Sequence, residues 1–492
     1  MAPDPGSWLR DRVLWLVVAV TTAMRVFFAW RFFGFLGGDD VEILEEAFRA
    51  ARGLHYSPWN VRNLFLPDVL VAPFVRLGSA LGLAETFPLV LCATVPFVLL
   101  ASLNIVLVYR LAQLWLSDRT AARLAAGIYA FHWLPLAYGS TVYPRTVSTT
   151  FVLAAAIVLS GAGKDVARGA TGGVLLALAF MVRYSEGMYL LPSLLLVLVY
   201  GEGKSVSFRR ALGVLAGFGL GVVLVSGFVN VLTWGSPLAS LGALGRLMLL
   251  GEGASGLSTH PPLFYFARVV FWLPPTLLPA LFLAWRVRPV RPAWMFVAVP
   301  LVLLSLIAHK ELRYLQGAIP FLAILGAGGF AVMHRRWRPW LSTTLVVLTL
   351  ASEVLGVRVL AGKSMAAVTA ARSMASDIGV RVVALSQAWA YGDRLYFGNR
   401  VEVRGLPVPP READLEKAIP GADRFGLYRD DLARDPALAA VLARHGFTSE
   451  RVVEWGDSKA VVVFAKPGSV NSRTPYAGFW SSGPRDRSCA GY

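Results

Sequence analysis

The sequence carries little charge and little cysteine. Asp, Glu, Lys and Arg make up 16% of its 492 residues, whereas a soluble globular domain usually carries roughly 25%. This deficit accompanies apolar runs of about 18–22 residues, and together they argue against a water-soluble protein. The two cysteines, Cys92 and Cys489, lie in an apolar segment and in the C-terminal tail, so we expect no disulfide framework.

Signals of several other protein classes are also missing. The N-terminal apolar stretch has no A-x-A-like cleavage site and is too long for the core of a signal peptide, so we interpret it as a retained first helix. No internal repeat of the kind common in transporters is evident. The formal net charge of +17 would suggest nucleic-acid binding in a soluble protein, but no basic and aromatic surface motif accompanies it. We therefore expect no nucleic-acid partner.

What the sequence does contain is a series of apolar segments. They predict an α-helical polytopic membrane protein with about eleven transmembrane helices. The region 169–200 could also be one long helix broken at "RYSEG". The apolar segments lie near 12–33, 87–109, 121–139, 146–162, 169–184, 187–200, 211–233, 264–285, 293–308, 314–333 and 340–361.

The loops between these segments fall into two groups by charge. If the first helix starts in the cytoplasm, the Lys- and Arg-rich loops all fall on the cytoplasmic side, as the positive-inside rule requires; they read "WLRDR", "YRLAQLWLSDRTAAR", "GKDVARG", "GEGKSVSFRR", "WRVRPVRP" and "HRRWRP". The opposite loops carry most of the remaining polar motifs, among them "GGDDVEILEEAF", "YGSTVYPRT", "VRYSEG", "GLSTHPP" and "HKELRY". We therefore expect the catalytic site on the extracytoplasmic face. The Ala-, Arg- and Gly-rich composition is typical of a high-GC bacterium, so we expect the protein in a bacterial inner membrane.

The predicted organisation has three parts. Residues 1–362 form the transmembrane module, whose first extracytoplasmic loop, 34–86, contains amphipathic helices at the membrane interface. Residues 363–467 form a small extracytoplasmic α/β domain, with a first strand pair predicted as a hairpin turning at "YGD" or "FGN" and a second turning at "GDSK". A helix in this domain should be capped by Asp435 and stopped at Gly446. Residues 468–492 are expected to be a disordered tail.

Asp39 and Asp40 follow the first apolar segment directly. One of them could serve as the N-cap of a helix that starts near Val41, where a carboxylate also suits the helix dipole. Alternatively, a carboxylate at the membrane surface could act as a general base that takes a proton from a hydroxyl nucleophile. Two adjacent aspartates without a third clear oxygen ligand are weak grounds for a metal site. We expect no cofactor, with a divalent metal as the alternative.

Other charged motifs stand at the ends of the outer helices. In "HKELRY", Lys310 and Arg313 are spaced so that they would share a helix face if the turn were helical, and with His309 they could bind a phosphate. An ordinary loop with internal ion pairs is the alternative. Arg145 in "YPRT", Arg183 in "VRYSEG" and His260 in "STHPP" could equally be local salt bridges or structural loop residues.

Taken together, these stretches resemble glycosyltransferase family 22, the polytopic mannosyltransferases of the GT-C superfamily. "HKELRY" is similar to that family's His-Lys-Glu-x-Arg-aromatic signature, which gives His309, Lys310, Glu311, Arg313 and Tyr314. "GGDDVEILEEAFR" resembles the family's Pro-Asp-Glu…Leu-Glu-x-Ala-His motif, which gives Asp39, Asp40 and Glu45. "WNVRN" resembles Trp-Glu-x-x-Arg-Ser, which gives Trp59 and Arg62. "YPRTVSTT" and "LSTHPPLFYF" resemble two further segments, which give Arg145, His260 and Tyr265. Gly38, Phe48 and Pro262 depart from the family's Pro, His and Trp.

The resemblance implies a GT-C fold and an enzyme that moves a hexose, mannose in this family, from a polyprenyl-phosphate sugar to an acceptor hydroxyl with inversion. Asp39 or Asp40 would be the base, with Asp39 favoured by motif position. His309, Lys310, Arg313 and Arg145 would bind the donor phosphate, as cations that stabilise a leaving phosphate should. Substrate contacts would come from Glu45, Trp59, Arg62, Arg183, His260, Tyr265, Glu311 and Tyr314.

Two alternatives stay open from the sequence. The first is another GT-C activity, such as arabinosyl, glucosyl or protein O-mannosyl transfer. The second is a lipid or sugar transporter, although transporters place ionisable groups near the bilayer midplane rather than at helix ends on one face. The expected partners are a polyprenyl-phosphate sugar donor, membrane lipids and an acceptor that could be a glycan, a glycolipid or a protein.

Overall fold

The protein was analysed as a computed structural model, which describes residues 8–54, 65–161, 166–200, 204–242, 259–336, 339–360, 365–377, 379–398, 400–455 and 459–467. The chain forms two compact units, and each unit combines segments that are distant in sequence. The first unit consists of Met1–Phe27, Asn60–Phe65 and Phe97–Arg358, and the second of Phe28–Trp59, Leu66–Pro96 and Val359–Tyr492. The predicted domain boundary near residue 362 stays a prediction.

Apolar helices dominate the chain up to residue 360. Within the described residues, five helical stretches are long and apolar enough to cross a membrane: Arg12–Arg31, Thr86–Leu116, Ser207–Leu232, Arg288–Leu306 and Leu312–Arg336. Shorter apolar helices accompany them at Pro144–Ser160, Val166–Val182, Tyr184–Tyr200, Pro275–Ala284 and Pro339–Val354. The predicted polytopic helical membrane architecture is therefore confirmed. The individual helices of these regions are Arg12–Arg31, Thr86–Leu116, Arg119–Phe131, Trp133–Tyr138, Pro144–Ser160, Val166–Val182, Leu190–Tyr200, Lys204–Leu220, Gly227–Trp234, Phe264–Ala267, Val269–Trp272, Leu278–Ala284, Arg291–Leu306, Ile319–Arg336 and Pro339–Leu360.

Two predicted spans are broken for a local reason, and a third region shows the break that the sequence left open. The span 121–139 is interrupted at His132, whose Nδ1 accepts a hydrogen bond from the Leu134 N–H at 3.2 Å and so caps the second helix. The span 264–285 breaks at Pro274 and Pro275, which have no N–H to continue a helix. The region 169–200 adopts the broken alternative, with a 3₁₀ turn over Tyr184–Tyr189 between two helices.

Close helix packing in the first unit depends on small residues. Helices Val166–Val182 and Lys204–Leu220 approach so closely that a Cβ atom on Gly173 would lie 2.2 Å from the Val214 carbonyl oxygen. A Cβ atom on Gly217 would lie 2.1 Å from the Ala170 carbonyl oxygen. Glycine is required at both positions because the two backbones are in contact, as is common between membrane helices.

The second unit contains the first outer loop and the C-terminal domain. The loop forms helix Gly38–Ala51, which we call the acidic helix, followed by the π-helix Leu66–Val71 and helix Ala72–Ala80. The acidic helix begins at Gly38 rather than near Val41, so both aspartates lie inside its first turn instead of before it. Helix Met365–Ala375 leads into the C-terminal domain.

The C-terminal domain is a five-stranded mixed sheet with the order β2-β1-β3-β5-β4. The strands are β1 Val382–Ser386, β2 Glu402–Leu406, β3 Arg424–Tyr428, β4 Thr448–Val453 and β5 Val461–Ala465. The helices Glu412–Ala418, Arg429–Arg434 and Ala437–Arg444 connect them, and side chains such as Phe425, Leu438 and Phe464 form a shared core.

Two strand pairings were predicted for this domain, and one is wrong. β1 and β2 run parallel with Val382 opposite Glu402, so they do not form the predicted hairpin; the connecting segment contains a 3₁₀ turn, Ala388–Tyr391, and returns the chain to the same end of the sheet. β4 and β5 are antiparallel, as predicted. Asp435 Oδ1 accepts a hydrogen bond from the Ala437 N–H at 3.2 Å, and Gly446 takes the left-handed conformation (φ 81°) that ends the helix.

Candidate functional site

Asp39 and Asp40 differ in their surroundings although they are adjacent. Asp40 is fully buried, and its Oδ2 accepts a hydrogen bond from the Leu36 backbone N–H at 2.8 Å. Asp39 keeps 8% of its surface exposed. Both benefit from the positive end of the helix dipole. Asp40 therefore ties the helix to the chain that precedes it, whereas Asp39 has the greater access to solvent.

The acidic helix is held by a segment of the C-terminal domain in the same unit. A Cβ atom on Gly38 would lie 3.7 Å from the Trp389 side chain, so the indole packs on the start of the helix. Glu45 is buried, and its Oε1 accepts a hydrogen bond from the Arg394 backbone N–H at 2.7 Å. No sequence signal pointed to Trp389 or Arg394, because they are more than 340 positions from the helix they contact. Glu45 thus anchors this contact.

In the first unit, the basic segment His309–Tyr314 is paired with the stretch around His260. Thr259 and His309 form an isolated antiparallel bridge, and the His260 N–H donates to the Ala308 carbonyl oxygen at 3.0 Å. Lys310 is buried, and its Nζ donates to the His260 carbonyl oxygen at 2.8 Å. The Tyr265 hydroxyl donates to the Glu311 carbonyl oxygen at 3.2 Å. Two motifs that are fifty residues apart in sequence therefore form one structure.

Within the basic segment, charges pair locally. Arg313 forms an ion pair with Glu311, which also accepts from His309 Nε2 at 3.0 Å. A 3₁₀ helix begins only at Leu312, after Lys310. The shared helix face that would have placed Lys310 beside Arg313 is therefore not formed. The segment presents Arg313 and His309 on either side of one carboxylate.

Arg145 and Glu186 form a buried ion pair beneath the basic segment. The Arg145 guanidinium also donates to Ser185 Oγ at 2.9 Å and to the Tyr314 carbonyl oxygen at 3.1 Å, and it lies 4.8 Å from the centre of the Tyr314 ring. Arg183 is mostly buried, and its charge acts on Glu186 as well. The Arg145–Glu186 pair thus contacts both the carbonyl and the ring of Tyr314 and holds this residue in place.

Sequence reasoning missed three residues of this region. The Arg313 guanidinium lies 5.4 Å from the centre of the Tyr143 ring, a cation–π contact. Gln316 Nε2 donates to Thr146 Oγ1 at 3.1 Å and so connects the basic segment to the helix that carries Arg145. Tyr143 could have been noticed because it precedes the Pro-Arg pair, but nothing marked Ser185 or Gln316.

The predicted site residues are thus divided between the two units. Asp39, Asp40 and Glu45 belong to the second unit; Arg145, Arg183, His260, Tyr265 and residues His309–Tyr314 belong to the first. Trp59 and Arg62 lie outside the described residues. Among the residues that the structure describes, no three His, Cys, Asp or Glu side chains cluster closely enough to bind a metal ion.

A family model described as the Alg9-like mannosyltransferase family matches residues 47–376, more than half of the chain. The chain belongs to the Alg9-like mannosyltransferase family. The match includes the basic segment and the residues around it, whereas Asp39, Asp40 and Glu45 precede it. This membership confirms the predicted family and the prediction that the protein is an enzyme, a glycosyltransferase, rather than a transporter. No curated protein sequence matches the chain.

Solved structures similar to this Alg9-like protein are GT-C glycosyltransferases. ArnT from Cupriavidus metallidurans bound to undecaprenyl phosphate is 14% identical, with a TM-score of 0.56 over 96% of this chain and 100% of that one. The Archaeoglobus fulgidus oligosaccharyltransferase tethered with an acceptor peptide is 11% identical, with a TM-score of 0.54 over 93% and 74%. The mycobacterial arabinofuranosyltransferase AftD is 16% identical, with a TM-score of 0.53 over 91% and 39%. The predicted GT-C fold is confirmed.

Proposed function

We propose that this membrane glycosyltransferase transfers mannose from a polyprenyl-phosphate mannose to an acceptor hydroxyl on the extracytoplasmic face of a bacterial inner membrane. Family membership supports mannose as the sugar. The ArnT structure of the same fold was obtained with undecaprenyl phosphate, which supports a lipid-phosphate donor. The Lys- and Arg-rich loops, which would all lie on one side of the membrane, support the orientation.

The observation that carries the mechanism is the difference between the two adjacent aspartates. Asp40 accepts the Leu36 N–H and is fully buried, so it suits a structural role. We assign the base to Asp39, which is the more exposed of the two: its carboxylate takes the proton of the acceptor hydroxyl while the hydroxyl oxygen bonds to the anomeric carbon. The bond from that carbon to the phosphate oxygen breaks in the same step. A β-linked donor then gives an α-linked product and free polyprenyl phosphate.

The basic segment fits the leaving phosphate. Arg313 and His309 retain partial solvent exposure, and a phosphate can compete with Glu311 for both. Lys310 uses one of its three N–H donors on the His260 carbonyl, so its ammonium group keeps two donors for the phosphate. Fixed cations that face the developing phosphate charge lower the barrier to its departure.

The remaining residues support these groups. The positive charge of Arg145 is neutralised by Glu186. We therefore assign Arg145 the role of holding Tyr314 in place, in addition to any direct attraction of its charge for the phosphate. Glu311 orients Arg313, and His260, Tyr265 and Arg183 fix the backbone and charge around the basic segment. Trp59 and Arg62 stay predicted substrate contacts.

The test is transfer by the purified protein in liposomes with polyprenyl-phosphate mannose, glucose or arabinose as radiolabelled donors. Each donor is offered with lipid-linked, polysaccharide and peptide acceptors, and the product linkage is read by NMR. The proposal expects mannose transfer with an α-linkage and equal rates in EDTA and in Mg²⁺. Consumption of another donor, or a β-linked product from a β-linked donor, would contradict it.

A further inference from the structure

The apolar helix Pro339–Leu360 carries one acidic side chain that the mechanism above does not use. Glu353 is only 3% exposed, although an ionisable group inside an apolar helix of a membrane protein is costly and usually serves a function. It lies in the first unit, as does the basic segment. The reason for keeping such a costly group must lie in its contacts.

Glu353 contacts the break in the predicted span 121–139. Its Oε2 accepts a hydrogen bond from the Trp133 backbone N–H at 3.1 Å, and its Oε1 lies 3.5 Å from His132 Nε2. Because His132 Nδ1 accepts a backbone N–H, a neutral imidazole carries its proton on Nε2. Nε2 then donates to the nearer acceptor, the Trp272 carbonyl oxygen at 3.1 Å. Glu353 thus fixes both a helix start and the ring that holds Trp272.

A first set of contacts leads from Trp272 to the basic segment. Trp272 is buried, and its Nε1 donates to the Tyr265 carbonyl oxygen at 2.9 Å. The Tyr265 hydroxyl in turn donates to the Glu311 carbonyl oxygen. Trp133 supports the same stretch, since its indole N–H donates to the Phe271 carbonyl oxygen at 2.8 Å. These hydrogen bonds tie the backbone of the basic segment to the residues that Glu353 contacts.

A second set of contacts runs through the short helix that begins at Trp133. The first N–H groups of a helix have no partner within it, and Glu353 satisfies one of them. At the other end of this helix, the Tyr138 ring packs on the Tyr143 ring with the ring centres 4.7 Å apart. The Tyr143 ring is the one that contacts the Arg313 guanidinium. The two sets of contacts thus reach the basic segment at its backbone and at one of its cations.

We propose that Glu353 is a positioning residue for the donor phosphate. By holding His132 and the Trp133 N–H, it keeps the basic segment in the arrangement that binds phosphate. The inference rests on the proposed function in one respect, the assignment of the basic segment to the phosphate.

A neighbouring contact of the same helix provides a matched control. Thr349, one turn before Glu353, shares a hydrogen bond with Thr276, with 2.7 Å between their hydroxyl oxygens. This bond also joins helix Pro339–Leu360 to the rest of the unit, but it belongs to neither set of contacts. Thr349→Val therefore weakens the packing of the helix without touching the residues that Glu353 holds.

The experiment measures phosphate binding without turnover. The full-length protein in detergent micelles is titrated with farnesyl phosphate and with farnesol, which lacks the phosphate, and binding is followed by microscale thermophoresis. Glu353→Leu removes the acceptor of the Trp133 N–H, whereas the conservative variant Glu353→Gln keeps an oxygen for it. Arg313→Gln, in the basic segment itself, calibrates the contribution of the phosphate. Thermal unfolding compares the stability of all variants.

We expect Glu353→Leu to weaken the binding of farnesyl phosphate by roughly 3–10-fold, the effect of one hydrogen bond, and to leave farnesol binding unchanged. Trp272→Phe loses the hydrogen bond to Tyr265 and should show the same selective loss, so the test does not depend on how well Glu353→Leu folds. Glu353→Gln and Thr349→Val should bind both compounds as the native protein does.

The possible failures are distinguishable. Native binding of farnesyl phosphate by both Glu353→Leu and Trp272→Phe, beside a loss in Arg313→Gln, would overturn the inference and leave the proposed function standing. Equal losses for farnesyl phosphate and farnesol, or a loss shared by Thr349→Val, would show that Glu353 only stabilises the fold and would overturn the inference too. Unchanged binding by Arg313→Gln, or a native protein that does not prefer farnesyl phosphate to farnesol, would contradict the phosphate assignment and overturn both.

Discussion

The buried pair of Arg145 and Glu186 gives a quantitative prediction. Glu186→Gln keeps the size of the side chain but leaves the Arg145 guanidinium buried without a carboxylate. Removing one partner of a buried ion pair typically costs about 3–5 kcal/mol, because the remaining charge is uncompensated. We expect a loss of stability in this range, and a fall in transfer rate because Arg145 also holds the Tyr314 carbonyl at 3.1 Å.

The control is an exposed pair in the C-terminal sheet. Arg404 and Glu402 are 2.7 Å apart, but their side chains are 28% and 41% exposed. Glu402→Gln should therefore cost less than about 1 kcal/mol, as exposed ion pairs do. Unfolding in SDS, followed by circular dichroism, compares the two variants with the native protein.

The double variant Arg145→Met, Glu186→Leu separates stability from function. Because a buried pair can be replaced by apolar side chains at little cost, it should recover most of the stability that Glu186→Gln loses. Transfer should stay low, since the contacts of Arg145 with the Tyr314 carbonyl and ring are then lost. Equal stability of Glu186→Gln and Glu402→Gln, or full transfer by the double variant, would refute this account of the pair.

Two further predictions concern the fold. Gly217→Ala should destabilise the protein by about 1–3 kcal/mol, because the new Cβ would meet the Ala170 carbonyl. Gly219→Ala, with no atom within 4 Å of its Cβ, should be neutral or slightly stabilising. Equal melting temperatures of the two variants would contradict the packing argument. Burial raises the pKa of the Asp431 carboxyl, and this effect outweighs the lowering by Lys459 and Arg434. The contribution of Asp431 to stability is therefore complete below about pH 4 and is lost as the pH rises through the raised pKa. Asp431→Asn should therefore melt higher than the native protein near pH 7 and show a flatter dependence between pH 4 and 8; an unchanged slope would show that Asp431 has no such effect.

The sequence predicted the membrane class and the positions of the helices well, because hydropathy and loop charge act locally and additively. It could not predict where helices break, since the break at His132 depends on a side chain capping the next turn. The parallel pairing of β1 with β2 was also missed, because it depends on the path of the intervening segment. The periodicity of the sequence carries no information about which distant strands pair or in which direction.

The candidate site shows the same limit. The motifs identified the residues of the basic segment, but not that Glu311 would pair with Arg313 and His309. The sequence left Asp39 and Asp40 as alternatives for cap and base. We propose that the contact from the Leu36 N–H gives Asp40 the structural role. This contact could not be read from the sequence, because the helix starts three residues earlier than predicted.

The most direct test of the proposed mechanism compares Asp39→Asn with Asp40→Asn in single-turnover transfer from polyprenyl-phosphate mannose. Loss of a general base typically slows a reaction by about 10²–10⁴-fold, and loss of a hydrogen bond to a buried charged group costs about 1.5–3 kcal/mol of stability. We predict that Asp39→Asn folds normally and loses transfer to this extent, and that Asp40→Asn melts lower but keeps most of its activity. Full transfer by Asp39→Asn would contradict the assignment of Asp39 as the base.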